Sequence, residues 1–546
     1  MLNPESKALP QPAKGATLTI RGIALALLLF IEKSLLNFLV DFDGAQAAHG
    51  IGDVIRHVQH FGLRFAVTLA LALALFCYVT ESRRLAEINL AARQAPVRFG
   101  WLALHLLCVI AVTPLVASFY QRDSASLGFS LQAAACLVLI VVGVLALFAA
   151  AAPWAIWRAA AQSLGIVWLY AISAAAAATW AIQWSQGLWG PTAQVTFELV
   201  RRLLDPLIPS LQSDTTTRII ATDRFAVQVS EVCSGLEGMG LMLAFCSAWL
   251  IYLRREYVFP RALLIIPIGL LIVFVLNVLR IALLVLLGHV GFPEIASIGF
   301  HSQAGWIAFN AAACGIAFFS RRSTWLTRVP TVSEQAAPGN PTAAYLMPFL
   351  GLLAAGMISK AASGEFETFY WLRLIVAGSA LIVYWPRLTR LDWRFTWRGP
   401  LLGCLIFGIW TLAEWTVSAP VAMPESLAAA SPGARVLWLT IRVATGAVLV
   451  PVVEELAFRG YLLRRLVAED FEAVSFATVG VWPLLISSVA FGVGHGYLWL
   501  PGIVAGMVYA SVARRTGRFG EAVAAHATTN ALLAIGVLVF GHWENW

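Results

Sequence analysis

Long apolar runs repeat along almost the whole of this chain, separated by short polar segments, and they limit what it can fold into. A helix needs about 20 consecutive apolar residues to cross the hydrocarbon core of a bilayer, and most of these runs reach that length. The chain is 60% hydrophobic and only 12% charged, whereas about a quarter of the residues in a soluble domain are charged. We therefore predict an all-α polytopic membrane protein.

The apolar runs form two groups. A polar, Pro-containing stretch at 321–342 has no apolar periodicity and is predicted to be a linker. We expect residues 1–320 to form a bundle of about eight transmembrane helices and residues 343–546 a second bundle of about six to seven. The predicted spans are 19–40, 61–81, 99–119, 132–153, 163–184, 234–253, 262–288, 302–320, 343–360, 370–386, 400–418, 434–457, 480–497, 499–513 and 521–540.

The basic residues lie in short clusters between the spans, although the formal net charge is +8. Such clusters are typical of cytoplasmic loops, and without a separate basic patch we do not expect nucleic-acid binding. Counting spans from a cytoplasmic N-terminus puts loops 82–98, 254–261 and 321–342 inside, and all three are rich in Arg. The long loop 185–232 then lies outside, where strand-like alternation around Phe225–Val229 predicts a small polar cap.

Three reactive residue types stand near the ends of consecutive predicted spans. Cys233 lies in EVCSGLEGMG, Arg280 in NVLRIALL and His301 in GFHSQAGW. Because the chain direction alternates from span to span, all three positions are predicted on the outer membrane face. The other six cysteines lie inside apolar runs, where a thiol behaves as a small hydrophobe.

These three residue types suit nucleophilic catalysis. A cysteine attacks as its thiolate, which a nearby cation favours, and a histidine exchanges the proton with the thiol or the leaving amine. An arginine stabilises the thiolate or the oxyanion of a tetrahedral intermediate. Ionisable residues at membrane depth are costly, so a functional role is the default hypothesis. The residues alone also allow purely structural roles. The cysteine can be a core residue, the arginine can snorkel to the head groups, and the histidine can simply begin a helix.

The segments EVCSGLEG, NVLRI and GFHSQAGW, in this order, resemble the three signature motifs of the exosortase/archaeosortase family over roughly residues 20–320. The resemblance implies a multispanning, transpeptidase-like enzyme whose site faces outward. It implies that Cys233 is the nucleophile, His301 the acid/base and Arg280 the transition-state stabiliser. It also implies substrates with a C-terminal sorting signal of the PEP-CTERM or VPEID-CTERM kind, made of a short motif, a transmembrane helix and a basic tail.

A second set of polar residues interrupts the C-terminal apolar group. In PVVEELAFRGYLLRRL, Glu455 and Arg459 are four residues apart with the acid first, which is the favourable order for an ion pair on a helix. Glu454 is rotated by about 100° from Glu455 around the helix axis. We therefore predict that Glu455 and Arg459 support the structure, and that Glu454 is free to act as a base.

Two histidines and an asparagine complete this set. His495 ends FGVGH, and His526 and Asn530 lie four apart on one helical face in HATTN. Glu454 with His495 can activate a water molecule, while His526 and Asn530 donate to the oxyanion, and this chemistry needs no cofactor. A zinc site at Glu454, His495 and His526 is the less favoured alternative, because HExxH is absent and Asn is a poor zinc ligand. A polar interface between helices is the structural alternative.

The motifs EExxxR, FxxxH and HxxxN, in this order, resemble those of the CPBP family over roughly residues 343–546. This family includes the type II CAAX prenyl endopeptidases and the bacteriocin-processing proteases. The resemblance implies that Glu454 and His495 activate water, and that His526 and Asn530 form the oxyanion hole. It does not imply prenylated substrates.

With both groups on one chain, the sequence resembles the exosortase E/protease fusions associated with VPEID-CTERM proteins. The resemblance implies a bifunctional membrane peptidase in a bacterial inner membrane. A polytopic transporter would also bury Arg, His and Glu, but it predicts internal repeats with paired broken helices, and no convincing repeat relates the two groups. A fusion with only one active half is the remaining alternative.

Overall fold

The computed structural model describes most of the chain after residue 82. The predicted spans 19–40 and 61–81 lie largely outside the described residues. Those residues are 83–120, 127–328, 340–364, 366–417, 421–543 and 546, together with scattered helical positions between 21 and 73.

Two compact units divide the chain. The first comprises the part up to Trp184 together with Gly480–Ile486, and the second comprises the remainder. In the first unit, buried Leu147 and Ala151 pack with Leu25 in a hydrophobic cluster. Its helices are α1 (Arg83–Gln94), α2 (Phe99–Tyr120), α3 (Leu127–Ala151), α4 (Trp154–Leu164) and α5 (Val167–Gln186).

The second unit contains both sets of candidate catalytic residues. Its elements before residue 329 are α6 (Trp189–Leu204), β1 (Gln212–Asp214), β2 (Ile219–Ala221), β3 (Ala226–Gln228), α7 (Leu236–Tyr252), α8 (Ile265–Val290) and α9 (His301–Arg322). The elements that follow, termed the C-terminal helices, are α10 (Pro341–Ala361), α11 (Trp371–Leu388), α12 (Arg398–Val417), α13 (Glu425–Ala428), α14 (Pro432–Ala444), α15 (Val450–Glu455), α16 (Val481–Val493, whose residues up to Ile486 belong to the first unit), α17 (Trp499–Thr516) and α18 (Phe519–Phe540).

The loop 185–232 carries the predicted cap. Its strands form an antiparallel three-stranded sheet in the order β1-β2-β3, so the strand predicted near Phe225–Val229 is present. The sequence reading missed α6, whose buried Ala193, Phe197 and Leu204 are spaced by helical intervals. Phe197 and Leu204 pack with the sheet against α8 in one hydrophobic cluster, which places the cap on the helix that carries Arg280.

The first residues of the predicted linker 321–342 have a defined structure. The Arg328 N–H donates to the Glu256 carbonyl, and the Val258 N–H donates to the Leu326 carbonyl, both at 2.8 Å. These bonds tie residues 323–328 to the turn between α7 and α8. Residues 329–339 lie outside the described part of the chain.

Three helical segments have π-type geometry. Ile295–Phe300 leads directly into α9, while Thr445–Leu449 and Leu456–Leu463 flank α15 on either side. A π-turn inserts an extra residue and changes which way the following side chains face, and such turns occur frequently at functional sites. Here they immediately precede His301 and enclose Glu454 and Glu455.

Seven helical segments in the described part of the chain are long and apolar enough to cross a membrane, or eight if the pair formed by α4 and α5, bent by 83°, counts as one span. The apolar helices α7 and α16 are shorter than these segments, with 17 and 13 residues. With no sheet beyond the small cap among these residues, the predicted all-α polytopic membrane fold is confirmed. The seven segments are Phe99–Ala117, Ala134–Ala151, Arg261–Val290, Pro341–Ala361, Pro432–Leu463, Gly496–Thr516 and Phe519–Phe540.

Gly299 is the closest packing point between the π-turn before His301 and the end of α10. A Cβ atom at this position would lie 2.1 Å from the Ser363 carbonyl oxygen and 2.2 Å from that of Lys360. Both contacts are with backbone atoms, which cannot rotate away. Only glycine fits here, and the position of the His301 turn therefore depends on the C-terminal helices.

We expect Gly299→Ala to lower the stability of the folded protein by about 1–3 kcal/mol, the usual range for forcing an extra methyl group into a packed site. Thermal unfolding of the purified protein in detergent measures this effect. Gly315→Ala is the matched control, because a Cβ at Gly315 in α9 meets nothing within 4 Å. Equal melting temperatures for the two variants would contradict the packing argument.

Candidate active sites

Cys233 lies in a short 3-10 turn, Glu231–Ser234, immediately before α7. Gly235 closes this turn with a φ of +87°, a left-handed conformation that side chains rarely adopt. A Cβ at Gly235 would also lie 2.8 Å from the Asn277 side-chain nitrogen. Glycine at this position lets the turn approach α8 closely.

Polar contacts from two helices hold the Cys233 turn. The Asn277 side-chain amide of α8 donates to the Cys233 carbonyl at 2.9 Å. The Thr196 hydroxyl of α6 donates to the Ser234 carbonyl at 3.1 Å. The Cys233 thiol is free and half-buried, with the Ser230 hydroxyl 3.5 Å from its sulfur. The backbone of Cys233, the predicted nucleophile, is therefore anchored while its thiol stays free.

Asn277 was not singled out from the sequence. It stands three residues before Arg280, so the two side chains lie on the same face of α8. This spacing was the signal that could have found it.

Arg280 connects the other two predicted residues. Asn277, one turn before it on α8, donates to the Cys233 carbonyl. Gly305, one turn after His301, provides space for the guanidinium, because a Cβ there would lie 2.7 Å from Arg280 Nη1. The Arg280 Nε atom is buried and has no hydrogen-bond partner among the described residues. The chain thus brings the predicted thiol, guanidinium and imidazole into one neighbourhood.

A cavity of about 180 Å³ opens beside this group. Asn277 and Arg280 line it from α8, and Ser302 and Gly305 line it from α9. Apolar side chains such as Trp306 form much of the remaining wall. Apolar walls with a few converging polar groups are typical of a ligand-binding site.

The second predicted set surrounds another cavity, of about 230 Å³. Glu454, His495, His526 and Asn530 all line it, although they come from α15, the end of α16 and α18. Glu455 and Arg459 do not line this cavity. Of the two adjacent carboxylates, only Glu454 therefore lines the cavity.

Glu455 and Arg459 form an ion pair with a distance of 2.8 Å between Oε1 and Nη1. Both side chains are almost completely buried, at 0% and 1% exposure. Arg459 also donates to the Gly506 carbonyl at 3.0 Å and lies 4.3 Å above the Phe491 ring centre. The guanidinium thus joins α17 and α16 to the helix that carries the carboxylates.

His526 lies between the two carboxylates. Its Nδ1 atom is 3.0 Å from Glu455 Oε1, within hydrogen-bond distance, and its Nε2 atom is 3.9 Å from Glu454 Oε2. Glu455 therefore does more than pair with Arg459, because it also orients the imidazole. The sequence spacing did not predict this contact, which joins residues 71 positions apart.

His495 and Asn530 each have one fixed hydrogen bond. His495 Nδ1 lies 2.8 Å from the Phe491 carbonyl oxygen. Since that oxygen can only accept, Nδ1 carries the proton and Nε2 is left with a lone pair. The Asn530 amide donates to the Gly446 carbonyl at 2.9 Å, which leaves its second N–H for another acceptor.

Aromatic side chains complete the second site. Tyr509 stacks on His526 with ring centres 5.0 Å apart and donates to the Thr529 hydroxyl at 2.8 Å. Phe491, the first residue of the FxxxH motif, contacts both His495 and His526. Tyr509 lies in an apolar run with no motif around it, and nothing in the sequence pattern marked it.

Among the described residues, no group of three or more His, Cys, Asp or Glu side chains is arranged to hold a metal ion. The Oε2 atoms of Glu454 and Glu455 are buried and have no hydrogen-bond partner in this part of the chain.

Residues 59–319 match the family described as transmembrane exosortase, and residues 436–532 match the family described as type II CAAX prenyl endopeptidase Rce1-like. This chain joins an exosortase-like part to a CAAX-endopeptidase-like part. The predicted combination is confirmed, and the chain is a multi-pass membrane peptidase. No curated protein and no solved structure gives a significant match.

In the endopeptidase-like part, we expect Arg459→Met to destabilise the fold by about 3–5 kcal/mol, because it leaves the Glu455 carboxylate buried without its cation. The double variant Glu455→Gln with Arg459→Met removes both charges and is expected to regain a large share of that loss. Unfolding in mixed detergent micelles measures the free energies of unfolding of Arg459→Met, of Glu455→Gln alone and of the double variant, each relative to wild type. Additive losses from the two single changes would show that the pair is not coupled.

Proposed function

We propose that this chain is a bifunctional membrane peptidase, with one cysteine-dependent and one glutamate-dependent site. The observation that carries the proposal is the cavity around which Glu454, His495, His526 and Asn530 converge from three separate helical segments. The grouping of Cys233 and His301 around Arg280 supports the first site in the same way.

At the first site, the Cys233 thiol gives its proton to His301, and the thiolate attacks a peptide carbonyl carbon to form a C–S bond. Arg280 stabilises the resulting oxyanion. When the intermediate collapses, the C–N bond breaks and His301 returns the proton to the leaving amine. Water or an amine or hydroxyl acceptor then attacks the thioester, and the thiol regains its proton as it leaves.

The substrates proposed for this site are secreted proteins with a C-terminal sorting signal, made of a short motif, a membrane span and a basic tail. We propose that the enzyme lies in a bacterial inner membrane with its N-terminus in the cytoplasm, so that Cys233 faces outward. The Arg-rich loops at 82–98 and 254–261 support this orientation.

At the second site, the Glu454 carboxylate takes a proton from a water molecule, whose oxygen attacks the peptide carbonyl carbon. The lone pair on His495 Nε2 accepts the other O–H of that water and orients it. Asn530 donates its second N–H to the oxyanion, and protonated His526, held through Nδ1 by Glu455, donates from Nε2. The C–N bond then breaks, and Glu454 passes its proton to the leaving amine.

Separate inactivation of each site tests the proposal. The reporter is a secreted protein fused to a short motif, one membrane span and an Arg-rich tail, taken from a gene adjacent to that of this enzyme. We expect Cys233→Ala to abolish one cleavage and Glu454→Gln to abolish the other, each by at least about a hundredfold, because each removes the group that makes or activates the nucleophile. Mass spectrometry of the reporter termini separates the two products.

Cys246→Ala is the matched control for the first variant, since this buried thiol packs in the core of the fold away from Arg280. Wild-type processing by both Cys233→Ala and Glu454→Gln would refute the catalytic role of each site. If only one cleavage is lost, only one half is active. Loss of the Glu454-dependent cleavage with a zinc chelator, and its return on adding zinc, would favour the metal alternative.

Asn277 is expected to position the nucleophile. Asn277→Leu removes the donor to the Cys233 carbonyl, so the turn loses its anchor, and we expect both cleavage and the rate of Cys233 alkylation by iodoacetamide to change. Asn277→Gln, which retains an amide, is expected to recover part of the wild-type behaviour. If Cys233 is alkylated in Asn277→Leu at the wild-type rate, and that rate depends on pH as it does in wild type, this role is excluded.

A further inference from the structure

A third cavity, of about 430 Å³, lies within the same compact unit. On one side it is lined by the π-turn and first turn of α9, including Gly299, Ser302 and Gln303. On the other side it is lined by the C-terminal helices, including Lys360 and Trp438. Neither proposed reaction uses this space.

This cavity shares wall residues with both candidate active sites. Ser302 also lines the cavity beside Arg280 and Asn277. Tyr370, Arg442 and Trp546 also line the cavity that contains Glu454. The three cavities are therefore neighbours, and we refer to the middle one as the connecting cavity.

The two sides of the connecting cavity pack closely together at Gly299. Gly299 packs directly on the carbonyl oxygens of Lys360 and Ser363, and it stands two residues before His301. The turn that precedes His301 is therefore fixed against the helices that carry the connecting cavity.

Aromatic rings form one surface of the connecting cavity. The Trp438 ring lies 5.5 Å from that of Phe366 and 6.1 Å from that of Trp546, measured between centres. Its Nε1–H donates to the Glu367 carbonyl at 2.9 Å, which holds the indole in place. A rigid aromatic surface of this kind suits an extended peptide, whose side chains and backbone can lie flat against it.

The available charge in the connecting cavity is positive. The Glu367 carboxylate is occupied by Arg373, which donates to both of its oxygens at 2.8 Å. Lys360 is exposed and forms no ion pair with any described residue. Arg442 lies 4.3 Å above the Tyr370 ring and donates to the Tyr370 hydroxyl and, at 3.4 Å, to the Trp546 carbonyl oxygen, and it forms no ion pair with a side-chain carboxylate of the described residues. A carboxylate on a bound peptide would complement Lys360 and Arg442.

Building on the proposed function, we propose that the connecting cavity binds one extended, carboxylate-bearing stretch of substrate polypeptide that reaches from the Cys233 site to the Glu454 site. Both sites then act on a single bound chain, and the product of one cleavage is retained for the other. Free exchange of the intermediate with the membrane is not required.

A tethered-peptide experiment tests this binding without any turnover. The full chain is prepared with Cys233 as its sole cysteine. This cysteine is alkylated with iodoacetyl peptides of about 4, 8 and 12 residues, and an extended peptide spans about 3.3 Å per residue. Alkylation forms a C–S bond at the thiol and releases iodide. Each peptide carries a benzophenone at its far end and either Glu or Lys in the middle. Photo-cross-links are mapped by mass spectrometry.

We expect the longer Glu peptides to cross-link to the region 360–367 and to Trp438, and the Lys peptides to do so several-fold less. Lys360→Gln is expected to remove much of that preference. Ala422→Trp fills the connecting cavity, whose wall includes Ala422, and should abolish the cross-links without slowing alkylation. Ala429→Trp, at an exposed position outside the cavity, is the matched control.

Cross-links that stay beside α7–α9 at every peptide length, or that persist unchanged in Ala422→Trp, would overturn the proposal. A second attachment point, Ser302→Cys in a Cys233→Ala chain, gives the same comparison if the native thiol turn is disturbed. Reporter cleavage is measured separately, so the loss of the proposed peptidase activities and the loss of the connecting cavity's role give different results.

Discussion

A charged side chain among apolar helices is costly unless a partner or a function offsets it, and this constraint shapes both candidate sites. The Glu455 carboxylate contacts the Arg459 guanidinium and the His526 imidazole, and Arg459 in turn contacts a carbonyl and an aromatic ring. The buried ion pair fixes the positions of three helical segments. Glu454, next in sequence, then faces the cavity without needing a structural partner of its own.

The first site meets the same constraint differently. Arg280 forms no ion pair among the described residues; Asn277, one turn before it, donates to the Cys233 carbonyl, and Gly305 leaves space for the Arg280 guanidinium. Asn277 and Thr196 anchor the Cys233 turn, which keeps the thiol beside the helix that carries Arg280.

Departures from regular helix geometry determine where these side chains face. Ideal α-helical spacing separates Glu454 from Glu455 by about 100°, and that estimate was adequate to place one on the cavity and the other on Arg459. It did not predict that both would contact His526. The π-helical segments on either side of α15, and the one before His301, depend on packing with neighbouring helices and leave no periodic signal in the sequence.

The sequence by itself determined the membrane fold, the two families and the identity of the candidate residues, because apolar runs, local motifs and helical spacing are all short-range properties of a chain. Tertiary structure alone decided that His526 spans two carboxylates, that Asn277 holds the Cys233 turn and that Tyr509 stacks on an imidazole. It also decided that Gly299 brings the His301 turn against the end of α10, beside a cavity that shares wall residues with the cavities of both candidate sites. These contacts join residues far apart in sequence, and their partners are chosen by the packing of whole helices, which no local pattern encodes.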